Sequence, residues 1–404
     1  MFYIVQKYNI IPYFCAKASN TKMNFNQIIG QEYLVNYLKR TVDNGKISHA
    51  QLFVGNEGVG ALPMAIAYAS YLICKDHKEP EKCRAKCEKL QHPDLHFAFP
   101  VATNEAVKKH PVSSLFLTEW REFLLENPYA GLFDWYKFLG IENKQGRIGV
   151  DEAQDIVKKL RLKPYEGTYQ VMIIWMPEKM NIAASNKLLK LIEEPPTKTI
   201  LLLVTENEEQ IISTIQSRCQ VLHFGNLSEG QITQELLNKE SIEEIEAIKV
   251  AHQADGNYNK ALKIFQNKSD DTIFDQWFVV WVRAAFRAKG NASVINDLIG
   301  WSNEISGKGR ETQKQFLQYC MQVFRQAMLL NYKAESLVYL QPKTKGFKLE
   351  NFAPFIHNGN IIGLTDELSD ALYHIERNGN AKIILLDLSI KLTRLLHAKE
   401  VTSD

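Results

Sequence analysis

The chain has 404 residues, 45% of them apolar and 23% charged. That is the composition of a soluble globular protein of two or three domains, and it excludes collagen, low-complexity chains and disordered acidic tails. Lys and Arg number 48 against 46 Asp and Glu, a net +2, so no overall basic field marks a nucleic-acid binder, and no apolar run approaches the ~18 residues of a membrane span. Residues 1–23 read as an N-terminal extension, disordered or arising from a start placed too early, because a second methionine, Met23, follows. Gln6, Lys7, Tyr8 and Asn9 break its apolar stretch, which argues against a signal peptide. The expected compartment is the cytoplasm.

Residues 24–226 alternate strand-like and helix-like segments, the pattern of an α/β parallel sheet with flanking helices. Leu52-Phe53-Val54 predicts a buried strand ending at Gly55, followed by a glycine-rich turn and a helix from Pro63 to Ile73. An aromatic-rich insertion over 98–149, with Trp120 and Trp135, has no detailed placement. A helix from about Val150 to Leu162 leads to a strand at Val171–Trp175. A helix from Ile182 to Glu193 leads to another at Leu201–Thr205, with Pro195-Pro196 stopping the helix between them. From about Leu227 the pattern is helical alone. Ser228 reads as a helix cap. Residues 227–268 predict a small helical lid and 269–404 a helical collar, in which Phe316, Cys320, Phe324 and Met328 form one apolar stripe. Ile383, Ile384, Leu388, Leu392, Leu395 and Leu396 form another.

The turn Gly55-Asn56-Glu57-Gly58-Val59-Gly60 keeps the glycine spacing of a phosphate loop. The next two positions should carry Lys, which reaches the β- and γ-phosphates, and a hydroxyl for magnesium. They are Ala61 and Leu62. Glu57 adds a negative charge that repels phosphate. The strand Val171–Ile174 should end in acids that serve the magnesium shell; it ends in Trp175-Met176, and Glu178 lies three residues too late. Losses in two separate strands predict a loop shape kept for folding, with no bound ATP and no intrinsic hydrolysis.

The stretch Met180 to Cys219 carries Ala183-Ala184-Ser185-Asn186-Lys187-Leu188-Leu189-Lys190, then Glu193-Glu194-Pro195-Pro196, then Ser217-Arg218-Cys219. Together with Gly30-Gln31 and His92-Pro93-Asp94 it resembles the AAA+ modules of clamp loaders, and the lost phosphate-loop chemistry makes the resemblance one to their delta-prime type. The resemblance covers about 24–268 and implies that the Ser-Arg-Cys triplet supplies an arginine finger. Arg218 would then act in trans, its guanidinium forking onto phosphate oxygens of a neighbour's ATP. Gly256-Asn257-Tyr258-Asn259 resembles the second-sensor segment with Asn259 at its arginine position, and Thr205 matches the first sensor.

Six cysteines, at 15, 74, 83, 87, 219 and 320, are too few for a disulfide scaffold. Cys74, Cys83 and Cys87 cluster in a Lys- and Glu-rich stretch, which points to zinc thiolates on a solvated loop and not to bridges. The resembled family carries four such cysteines; here three remain, with His77 or His92 as a fourth ligand, so a zinc site and a decayed site both fit.

The expected function is a non-hydrolysing clamp-loader subunit with an AAA+ α/β module, lid and collar. Implied partners are sister subunits, including the ATPases, and through them a sliding clamp and primed DNA. A non-catalytic AAA+ adaptor in DNA repair or regulation is the alternative, and an active clamp-loader ATPase a weaker one.

Overall fold

The computed structural model describes residues 23–266, 271–340, 342 and 344–398. The predicted extension therefore lies almost wholly outside the described residues. Met23 is buried in the module core beside Phe25, so the module already includes residue 23.

Five parallel strands form one sheet in the order β2-β3-β4-β1-β5: β1 Ala50–Val54, β2 Leu95–Ala98, β3 Gln170–Trp175, β4 Thr199–Thr205 and β5 Gln220–His223. The registers Val54↔Thr205 and Trp175↔Val204 bring the ends of β1, β3 and β4 to one level, at the rim where the phosphate loop begins. β3 and β4 are buried along their whole length, as parallel strands covered on both faces must be.

Helices α1 Glu32–Asp43, α2 Ala61–Cys74 and α3 Pro80–Glu88 precede β2. α2 is buried nearly all round, in keeping with its largely apolar sequence. The insertion supplies α4 Leu117–Glu126 and α5 Leu132–Phe138. Their aromatic rings build a compact cluster with the sheet: Trp120 stacks on Phe99 at 4.1 Å and meets Trp135 and Trp175 at 5.1 Å each. α6 Val150–Leu160 and α7 Ile182–Glu193 flank β3, and the short α8 Ser213–Gln216 leads to β5. Asp94, in the turn before β2, accepts the N–H groups of Tyr165, Glu166 and Gly167 at 2.5–3.0 Å and so shapes the loop before β3.

The lid is α9 Glu229–Lys239, α10 Glu244–Ala254 and α11 Tyr258–Phe265. Ser228 caps α9 through the Gln231 N–H, and Gln231 returns the bond to Ser228. The lid has its own core, which also takes in Ile29 and Tyr129 of the module. The collar holds α12 Asp271–Arg287, α13 Ile295–Ser306, α14 Arg310–Asn331, α15 Leu349–Phe352, α16 Ile361–Glu376 and α17 Ala381–Leu395. Phe316, Cys320 and Phe324 are buried as their spacing predicts. Ile383 is 64% exposed and does not belong to the buried stripe of α17, because that helix turns Leu385, Leu388 and Leu392 inward.

The collar touches the module directly. Glu376, at the end of α16, pairs with Lys179 of the module at 3.2 Å and lies 3.8 Å from Lys314 of α14. Its carbonyl accepts from Gln145 Nε2 at 2.9 Å, within the insertion. No helix among the described residues is long and apolar enough to cross a membrane.

Glu152, in the first turn of α6, is buried, and its Oε2 accepts the Ser113 N–H at 2.5 Å. Burial pushes its carboxyl up to about 7. An acid whose folded pKa is raised favours the fold when protonated, so this contribution is full below about 4.5 and is lost as pH rises through about 7. We expect Glu152→Gln to stabilise the protein by up to roughly 3 kcal/mol at pH 8 relative to its effect at pH 4. Urea unfolding of both proteins at the two pH values checks it, and a pH-independent difference would contradict the assignment.

Candidate functional site

The phosphate loop lies where the sequence places it, between β1 and α2. Gly58 and Gly60 take φ of +76° and +98°. Gly58 is required for a second reason: a Cβ there would lie 1.9 Å from Asn257 Oδ1 of the lid. The Tyr258 N–H donates to the Gly58 carbonyl at 3.2 Å.

The cavity beside the loop measures only about 30 Å³, against roughly 300–1,000 Å³ for a typical small-molecule site. Ala61, Leu62, Trp175, Met176, Thr205 and Tyr129 are among the residues lining it. The positions that would bear lysine, hydroxyl and acids thus do converge, and they present apolar surface. Trp175 belongs to the aromatic cluster, and Glu178 instead accepts the Glu206 N–H at 3.2 Å. Thr205 Oγ1 accepts the Asn207 N–H at 3.1 Å.

Glu57 also lines the cavity, and the lid takes hold of it. Asn259, buried at the sensor position, donates both amide hydrogens at 2.7 Å, to Glu57 Oε1 and to Asp134 Oδ2 of the insertion. Its Oδ1 accepts from Asn127 Nδ2 at 2.7 Å. Lys263 Nζ lies 2.7 Å from Asp134 and 3.8 Å from Glu57. Gln31 Nε2 donates to the Gly225 carbonyl at 2.7 Å, and the Ile29 N–H donates to the Tyr129 hydroxyl at 2.9 Å. The Gly30-Gln31 segment is thus engaged with the protein's own groups.

Arg218 occupies the turn between α8 and β5 and is not among the residues that line the cavity. Its Nε and Nη2 both bond Glu193, the last residue of α7, and Nη1 donates to the Thr214 carbonyl at 2.8 Å. The side chain keeps about a third of its exposure. Burial pushes the adjacent Cys219 thiol up to about 11.

The cysteine cluster corrects the sequence reading twice. Cys74, Cys83 and Cys87 are buried and not on a solvated loop, because positions 83 and 87 share the inner face of α3 while its charges face out. Cys74 and Cys83 are joined by a disulfide, their Cα atoms 5.7 Å apart and so within bridging range. The Cys87 sulfur is 3.8 Å from that of Cys74, and burial pushes its thiol up to about 12. All three sulfurs lie within 4.8 Å of one another, and neither His77 nor His92 joins them. His77 Nδ1 accepts the Glu79 N–H at 3.0 Å. The His92 ring is buried with Nδ1 accepting from the Asp94 N–H at 3.2 Å; burial lowers its pKa. As bonded, the trio does not fit zinc, since a disulfide offers no thiolates; reduced, it supplies three of the usual four ligands.

A family model described as "DNA polymerase III, delta subunit" matches residues 30–228, the module and the start of the lid. DNA polymerase III subunit delta' of Bacillus subtilis is 27% identical over 215 residues, 52% of this chain and 52% of that protein. Subunit tau of the same organism is 25% identical over 307 residues, 72% of this chain and 47% of its own length. Over residues 30–228 the chain is similar to subunits of DNA polymerase III. Subunit gamma of Buchnera aphidicola subsp. Baizongia pistaciae is 26% identical over 245 residues, 59% of this chain and 56% of that one. The chain thus spans about half the length of the curated relatives it matches.

Within this module, sequence reasoning located the loop, the strand ends and Arg218. It missed the partners of these residues: Asn259 and Lys263 for Glu57, and Glu193 for Arg218. Glu193 stood in the Glu-Glu-Pro-Pro motif already noticed, and its charge complementarity to Arg218 was the available signal. We expect Asn259→Ala to strand the Glu57 and Asp134 carboxylates and to weaken lid docking by about 1–3 kcal/mol. Hydrogen exchange checks it: amides of α11 should exchange about tenfold faster or more while those of β3 and β4 are unchanged. Uniform acceleration, or none, would contradict the latch.

Proposed function

We propose that this chain is a non-hydrolysing, delta-prime-like subunit of a DNA polymerase III clamp loader that completes a neighbour's ATP site with Arg218. The observation that carries the reading is the contrast within one module. In the chain's own phosphate site Ala61, Leu62, Trp175 and Met176 stand at the positions of the lysine, the hydroxyl and the acids, and the site holds little space. Its Ser-Arg-Cys guanidinium stands partly exposed on a separate turn.

An always-charged planar fork suits the charge that develops on a γ-phosphate, and such a finger is worth on the order of 10³ or more in turnover. The partners on this reading are sister gamma/tau-like and delta-like subunits, and, through the assembly, the sliding clamp and primer-template DNA. Exposed Ile362 and Ile383 on α16 and α17 offer the collar apolar surface for such sisters. The compartment on this reading is the cytoplasm. Matches to gamma and tau subunits favour a second reading, an active ATPase, but that would need chemistry that Ala61, Leu62, Trp175 and Met176 do not supply.

Arg218→Ala should leave the complex assembled and reduce its clamp- and DNA-stimulated ATP turnover severalfold, with nucleotide affinity nearly unchanged, because a finger acts mainly in the transition state. The loss is partial because sister subunits keep their own fingers. Unchanged turnover and clamp loading in an assembled mutant complex would return Arg218 to an ordinary surface residue.

Zinc follows the redox state of the sulfur trio on this reading. Purified with reductant and without chelator, the protein should carry about one equivalent held by Cys74, Cys83, Cys87 and water. After oxidation it should carry none. Metal analysis of the two preparations decides it, and under a tenth of an equivalent in the reduced sample would mark a decayed site.

A further inference from the structure

Resting on the finger reading above, we infer that Glu193 is a positioning residue that parks Arg218 and yields it to phosphate only when a neighbouring nucleotide is seated. The guanidinium has two usable edges. One is anchored locally, Nη1 on the Thr214 carbonyl at 2.8 Å with Ser217 Oγ at 3.3 Å. The other edge, Nε with Nη2, is the one that binds two oxygens of a phosphate side by side. It is filled by Glu193. A phosphate cannot use that edge while the carboxylate holds it, so engagement is an exchange of one anion for another.

Glu193 has no local reason to be acidic. It closes α7, where the helix dipole disfavours negative charge. Glu194 beside it is equally acidic and makes no ion pair among the described residues. The parking pair is weak enough to exchange. Its side chains keep 35% and 43% of their exposure, and an exposed pair of this kind holds by a factor of roughly 1.5 to 5. A γ-phosphate carries more charge than a carboxylate and gains strength in the transition state, so it wins once positioned. Until then only a fraction of fingers is free, and the neighbour's unstimulated turnover falls by that fraction.

The experiment compares complexes reconstituted with full-length wild-type chain, Glu193→Gln, Arg218→Ala and the double variant, each confirmed as assembled by gel filtration. Glutamine keeps size and hydrogen bonding and removes the charge. Unstimulated kcat for ATP, without clamp or DNA, should rise about two- to fivefold in Glu193→Gln with KM unchanged. The stimulated rate should stay within about twofold. The excess over wild type should shrink as salt rises from ~0.05 to ~0.3 M, because screening releases the wild-type pair too. A structural role for Glu193 would not follow salt in this way. The double variant should match Arg218→Ala, and Glu194→Gln should match wild type. An unchanged or lowered unstimulated kcat in Glu193→Gln overturns the inference while leaving the finger intact. So does a rise that persists without Arg218. If Arg218→Ala itself has no effect, the finger reading fails first, and the two failures are told apart by that single complex.

Discussion

The carboxylate of Glu57 is the point on which the arrangement of lid and module turns. A phosphate loop is a concentration of backbone N–H groups at a helix start, and it attracts an anion. Here an acidic side chain of the loop itself lines the cavity beside that cradle. It is tied into a knot of Asn259, Asp134 and Lys263, fed from three separate stretches of the chain. Because Asn259 spends both amide hydrogens and its carbonyl in this knot, the polar groups are satisfied without a ligand. The lid is held against the loop by the protein's own side chains.

The second substitution is apolar. The rim of β3 ends in Trp175 and Met176, and the insertion covers that rim with Trp120, Phe123 and Trp135. Metal-binding acids need open, polar surroundings. A tryptophan cluster needs the reverse, and each ring buried there adds apolar burial and ring contacts. At this rim Trp175 packs into the aromatic cluster of the insertion, beside the buried Met176.

Much of this was legible in the sequence, for local reasons. β1, β3, β4, α6 and α7 were visible because buried parallel strands are continuous apolar runs and because Pro195-Pro196 and Ser228 punctuate the helices. β2 and β5 were not, since Leu95–Ala98 and Gln220–His223 are four-residue edge strands interrupted by polar side chains. Ala61, Leu62, Trp175 and Met176 could be judged because the phosphate-loop pattern assigns chemistry to neighbouring positions. The Glu57–Asn259 bond spans 202 residues, and nothing local announces it. The cysteines misled because the charge of α3 is averaged along the sequence but segregated around the helix. Cys83 and Cys87, one turn apart, look inward from a segment that reads as solvated.

The contact of Glu376 with Lys179 and Gln145 bears on how the molecule carries load. Lys179 follows β3 by four residues, and β3 lies beside β4 within the sheet. A twist applied to the collar can therefore reach the module directly, through the Lys179 ion pair and the Gln145 side chain, and need not pass along the chain that joins lid to collar. With the lid latched at Glu57 and the collar braced at Lys179, hinge motion is opposed at both junctions.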